Sequence, residues 1–263
     1  MLLRHPAAGL LLFMVAAPVS AHYHLLLPQK ASTDRDRPLR FMLGFGHPFE
    51  HQLFPTQKPK FVSVITPGGK CVDVSDKLEK DATGGYRWSY TPAERGDHVV
   101  FVRCEPEWMA EEKKFFDDSA KVILHVQTQN GWDRPVGGNL PPDKRPAPGE
   151  GIDLVPLTRP YGLRAGTVFQ VVVLSGIADP VKGLADTFVE FERYNAAPPK
   201  ELPPDEQITR TVKSDPNGVA TVTLPEPGWW GITAGRDGGT RIRDGKSYPV
   251  KVRTTLWVFV DDK

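Results

Sequence analysis

Setting aside His5, four histidines stand within 30 residues of one another near the start of this chain, His22 and His24 in Ala21-His-Tyr-His24 and His47 and His51 in Gly44-Phe-Gly-His-Pro-Phe-Glu-His51. Imidazole nitrogens are borderline ligands that suit nickel, cobalt, copper and zinc, so the cluster points first to a transition metal. Two modes of chelation open if the chain is cut after Ala21. In one, the new α-amine and the imidazole of His22 clasp an ion together. In the other, the amine, two deprotonated backbone amides and the imidazole of His24 make a square-planar nitrogen set suited to Cu(II) or Ni(II). Both need the processed terminus, because an acylated amine has no lone pair to give. The second pair sits in a loop whose glycines permit unusual backbone angles and whose Pro48 fixes its direction, with Glu50 as an added oxygen donor. The candidate ligands are therefore His22, His24, His47, His51 and Glu50. Against them stands the plainer reading that histidines near a chain end are often only solvated, and that His-Pro is often turn chemistry. His98 and His125 lie inside strand-like runs and read as hydrogen-bonded structural histidines.

The cut itself is written in the first residues. Arg4 precedes an apolar run from Leu10 to Val15, followed by Val19-Ser20-Ala21, the layout of a secretory signal over residues 1–21. With the flanking Pro6–Gly9 and Ala16–Ala17 the apolar stretch is about a dozen residues, short of the roughly 20 that span a bilayer. A mature chain starting at His22 and located in the periplasm is the expectation. With 33 basic and 32 acidic residues the formal charge is +1, which supplies no dense basic field for nucleic acid. Only two cysteines occur, Cys71 and Cys104, and in an oxidising compartment an even pair reads as a disulfide, worth roughly 3–4 kcal/mol by loop closure.

The elements that would hold these residues are strands. If Tyr23–Leu27 is a strand, His22 and His24 project from one face of it. Short alternating runs bounded by Pro, Gly, Asn or Asp recur at Leu39–Phe45, Lys60–Thr66, Tyr86–Thr91, His98–Cys104, Lys121–Thr128, Thr167–Leu174, Thr187–Tyr194, Gln207–Lys213, Val219–Leu224 and Val250–Val260. Their spacing predicts an all-β protein of antiparallel sandwiches. Only Glu105–Ser119, through Trp108, Met109, Phe115 and Phe116, has a pattern that admits a helical turn or two. With four prolines and two glycines, Leu140–Gly151 suits a semi-rigid spacer. It divides the chain into a first domain over 22–140, a linker over 141–151 and a second domain over 152–263. Pro227-Gly-Trp-Trp-Gly231 reads as a core plug, since adjacent aromatics in a strand point to opposite faces.

Signatures of catalysis are missing: the sequence has no Gly-x-Ser-x-Gly elbow, no His-Glu-x-x-His and no phosphate-cradling loop. Carboxylates such as Asp117, Asp118, Asp186 and Glu190 have no separation that sequence can read. A non-catalytic protein is expected.

Taken in order, Ala21-His-Tyr-His-Leu-Leu-Leu-Pro28, Gly46-His-Pro-Phe-Glu50, Leu154-Val-Pro-Leu-Thr-Arg-Pro-Tyr161 and Asp215-Pro-Asn-Gly218 with Pro227-Gly-Trp-Trp-Gly231 resemble the DUF4198 family over nearly the whole mature chain. The family is described as periplasmic nickel or cobalt uptake components. The resemblance implies two immunoglobulin-like β-sandwich domains in tandem, the second similar to carboxypeptidase-regulatory domains. It also implies delivery of Ni(II) or Co(II) to a membrane importer. By position the family's terminal histidine falls on His22 and its loop histidine on His47. Two departures stand out. Tyr23-His24 replaces the usual acidic residue or Trp, which moves the terminus toward Cu(II), and Thr254-Thr-Leu-Trp257 replaces Ala-Asp-Thr-Trp. Two rival readings remain open: a copper chaperone or histidine-brace copper enzyme, and a structural or glycan-binding module using Trp132, Trp229 or Trp230.

Overall fold

A computed structural model describes residues 22–127, 151–176 and 182–262. The segment 1–21 expected to be a secretory signal, most of the expected 141–151 linker and Trp132 lie outside the described residues.

The protein is almost wholly β, as the runs of β-branched and aromatic residues dictate. Strand Tyr86–Tyr90 turns Tyr86, Trp88 and Tyr90 inward and Arg87 and Ser89 outward, the alternation of a sheet with one wet face. It belongs to a five-stranded sheet in which Tyr23–Pro28, Leu39–His47, Tyr86–Tyr90 and Glu79–Lys80 lie side by side, with Gln52–Phe54 paired to Leu39–His47. A three-stranded sheet joins Asp153–Pro156, Thr167–Leu174 and Val219–Leu224.

Between them runs a sheet of eleven strands to which both parts of the chain contribute. At its centre Lys114–Val126 pairs in parallel with Lys246–Asp261, from Phe115 opposite Val250 to Val122 opposite Trp257. Nearly every residue of Lys114–Val126 is shielded from solvent, the sign of a strand covered on both faces. Val122, Leu124 and Trp257 face a core with Leu25, Phe41 and Trp88 of the five-stranded sheet. Ile123, Leu256 and Val258 face a second core with Phe169, Val171 and Val222 of the three-stranded sheet. Trp229 and Trp230, adjacent in Gly228–Arg243, fall into these separate cores and are 9% and 2% exposed.

Three expectations are corrected. Glu105–Ser119 is not helical: Glu107–Met109 and Lys114–Val126 form a hairpin with Trp108 opposite Phe115. Its turn uses Lys113 at φ 51°. Gly228–Arg243 and Lys246–Asp261 form one long antiparallel arm where only the last strand was expected. Lastly, Cys71 and Cys104 are free thiols. Cys71 lies opposite Ile65, which lies opposite Val99, whereas Cys104 follows Arg103 opposite Phe61. At ~3.3 Å per residue they are offset by roughly 16 Å along the sheet and two strand spacings across it. A disulfide needs Cα atoms within about 7 Å.

Candidate metal centre

The pairing of the first two long strands decides which histidines meet. Tyr23 lies opposite Gly46 and His24 opposite Phe45 in antiparallel register, so His22 falls beside His47. Their ring centroids stand 4.2 Å apart, tilted by 48°. Rings this close are near enough to share one ion through metal–nitrogen bonds of ~2.0–2.1 Å. Phe45 stacks on His22 at 5.8 Å, and Phe54 stands 5.5 Å from His22 and 5.9 Å from His47. The aromatic pair therefore walls one side of the imidazoles. His22 is 6% exposed, while His47 is half-buried. Gly46 makes this wall possible. At φ 148° an added Cβ would sit 1.9 Å from the Gln52 carbonyl oxygen, so a side chain there would push the Gln52–Phe54 strand away.

His24 is placed apart from this pair. It is 1% exposed, with Nδ1 3.0 Å from Asp118 Oδ2 and Nε2 3.3 Å from Thr56 Oγ1. Arg253 donates to both Asp118 oxygens, from Nε at 2.9 Å and from Nη2 at 2.7 Å. Thr56 donates in turn to Glu107 at 2.9 Å, and the Trp257 indole donates to the His24 carbonyl at 3.0 Å. Burial opposes a charge on His24, yet the Cys104 sulfur and the Asp118 carboxylate outweigh it and push its pKa up to about 10. Burial likewise opposes ionisation of Asp118, but Arg253 first and His24 next hold its carboxyl well below the usual range. A histidine held this way anchors the first strand. Both ring nitrogens are engaged here, and the square-planar set would have to break this network.

His51 and Glu50 turn toward the second half of the chain. His51, at φ 56°, brings Nδ1 within 2.8 Å of the Asn195 carbonyl and its ring within 5.7 Å of Tyr194. Glu50 Oε2 is buried without a hydrogen-bond partner among the described residues. The loop between His47 and His51 is clamped to strand Phe188–Arg193. The Phe49 amide donates to Glu192 Oε1 at 3.0 Å, and Asn195 Nδ2 donates to the Phe49 carbonyl at 2.6 Å. Thr209 donates to the other Glu192 oxygen at 2.6 Å. Burial drives the Glu192 pKa up to about 7; the Thr209 and Phe49 hydrogen bonds oppose it, and Glu50 and Glu190 add to it. Tyr23 donates to Glu190 at 2.8 Å, and burial raises its phenol well above the ordinary value.

Among the described residues no three or more His, Cys, Asp and Glu side chains gather for a metal. The pair His22 and His47 brings two imidazoles together. Sequence reading missed the Phe45 and Phe54 wall and the Asp118–Arg253 anchor. The available signal was charge inside apolar runs: Asp118 in Phe115–Val126 and Arg253 in Val252–Val260 need partners of opposite sign if buried.

A family model described as "Domain of unknown function (DUF4198)" matches residues 19–238. No curated protein matches the sequence. Among solved structures, a DUF4785 family protein from Legionella pneumophila is similar over 82% of this chain and 53% of its own, with 10% identity and a TM-score of 0.33. The chain thus spans about half of that relative's length. The D0–D1 domain of intimin matches at 17% identity and a TM-score of 0.22, over 89% of this chain and 97% of its own. A Salmonella α2-macroglobulin matches at 14% identity and a TM-score of 0.27, over 94% and 15% respectively.

Proposed function

Because the chain belongs to the DUF4198 family, whose matching model carries the description of a domain of unknown function, we propose from its own geometry that it is a periplasmic, non-catalytic carrier of Ni(II) or Co(II). The observation that carries this reading is the contact of His22 with His47 at 4.2 Å. Cleavage after Ala21 adds the α-amine of His22, giving two imidazoles and an amine, a nitrogen set of the borderline kind these metals prefer. The ion is cargo. The half-buried His47 leaves the site open on one side, which suits transfer to a membrane importer. In this reading the chain is built as two immunoglobulin-like sandwiches in tandem, over 22–140 and 152–263, with the 141–151 linker between them.

The same three nitrogens favour a second reading, a Cu(II) protein, because copper takes tetragonal nitrogen sets and binds most N-donor sites more tightly than nickel or cobalt. Affinity in solution therefore does not discriminate, and metal content after purification from the periplasm does. The site is tested by titrating Ni(II), Co(II) and Cu(II) into natively processed protein and into a form with one extra residue before His22. One ion per chain is expected for the native form, with at least tenfold weaker binding for the extended form and for His47→Ala. Equal stoichiometry and affinity in the native and extended forms would remove the terminus from the site.

A further inference from the structure

A recess of about 1040 Å³ opens where Ser32–Thr33, the end of Lys114–Val126 and the start of Gly96–Arg103 meet. It lies beyond Pro28, at the opposite end of the first strand from His22 and His47, so it is independent of the metal reading. Lys30, Arg37 and Arg95 line it together with His125, against one acid, Asp34. None of the three cations has a carboxylate partner among the described residues. In a chain of formal charge +1, this is a local concentration of positive charge.

His125 is held differently from the other strand histidines. His98 satisfies both ring nitrogens inside the fold, Nδ1 with the Tyr90 hydroxyl at 3.2 Å and Nε2 with the Glu94 carbonyl at 2.9 Å. His125 has Nδ1 2.8 Å from Asp97 Oδ1, its direct cross-strand neighbour, and Nε2 without a partner among the described residues. Tyr161 stacks on the imidazole at 4.1 Å and donates its hydroxyl to Asp97 Oδ2 at 3.0 Å. Arg159 in turn covers the Tyr161 ring at 5.4 Å. The Thr158-Arg-Pro-Tyr161 run of the second half thereby fixes a histidine of the first. A carboxylate on one ring nitrogen orients the imidazole and commits the other nitrogen outward, an arrangement that purely structural packing does not require.

Guanidinium forks match phosphate oxygens, and a recess of this size, at the upper end of the range for small-molecule sites, holds more than a bare ion. We propose that it binds a phosphorylated small molecule, with the phosphate met by Arg37, Arg95, Lys30 and His125 Nε2 and the body of the ligand by polar groups such as Ser32.

The test is calorimetric titration of the full chain at low ionic strength with glucose 6-phosphate, glucose and inorganic phosphate. Saturable binding of glucose 6-phosphate, at least tenfold tighter than glucose, is expected. The double variant Arg37→Ser/Arg95→Ser should weaken it tenfold or more while the melting transition stays in place. A His125 substitution disturbs the packing on Tyr161, so the two exposed arginines carry the test. Inorganic phosphate bound as tightly as glucose 6-phosphate would make the free anion the ligand and overturn the organic part of the proposal. No saturable binding of either phosphate, glucose bound equally well, or an unchanged double variant would overturn the whole of it.

Discussion

At the scale of single residues, the histidines divide by what their second ring nitrogen finds. His24 is locked between Asp118 and Thr56, His98 between Tyr90 and Glu94, and His22 and His47 face each other. Residue type and position announced a histidine cluster near the terminus, but not this division, since His24 is held by residues 32 and 94 positions away. The same remoteness governs Glu192. Its pKa, raised from 4.5 to about 7 by burial, means that its neutral form favours the fold. That contribution is complete below about pH 4.5 and is lost as pH rises through about 7. Glu192→Gln, which keeps an oxygen for the Phe49 amide, should therefore stabilise the protein by ~1–3 kcal/mol at pH 8 and leave it nearly unchanged at pH 4.5. Thermal melts at the two pH values decide this; equal effects at both would show that Glu192 titrates normally.

At the scale of elements, period-two alternation placed most of the strands it predicted within a residue or two of their observed bounds. It failed where two periods fit one pattern. Trp108, Met109, Phe115 and Phe116 satisfy a helical face and also a hairpin, and tertiary cover on both sides of Lys114–Val126 selected the hairpin. The loop strand Gln52–Phe54 escaped notice because it is three residues long and exists only by pairing with Leu39–His47. Gly46 is its condition. Gly46→Ala, which sets a Cβ against the Gln52 carbonyl at φ 148°, should cost about 2 kcal/mol and release Phe54 from His22. Chemical denaturation with an unshifted midpoint would contradict the contact.

At the scale of the molecule, the two parts of the chain are joined through the core as well as through a shared sheet. Lys121 on the central strand donates to Asp153 across the second core, and both residues are buried. A buried ion pair broken on one side leaves an uncompensated charge, whereas replacement of both partners by apolar groups costs little. Lys121→Met should accordingly destabilise the protein by ~3–5 kcal/mol, and Lys121→Met/Asp153→Leu should recover most of that loss. A double variant no better than the single one, measured by denaturant unfolding, would assign the pair another role.

The sequence by itself determined the β character of the chain, the inward and outward faces of its strands, and a histidine-rich start, because alternation and residue type are local properties. Tertiary structure alone decided that His22 meets His47 while His24 turns to Asp118, that Cys71 and Cys104 stay apart, and that strands from both parts share one sheet. Each of these outcomes is set by register between strands distant in sequence, where one step of slippage turns a side chain to the other face.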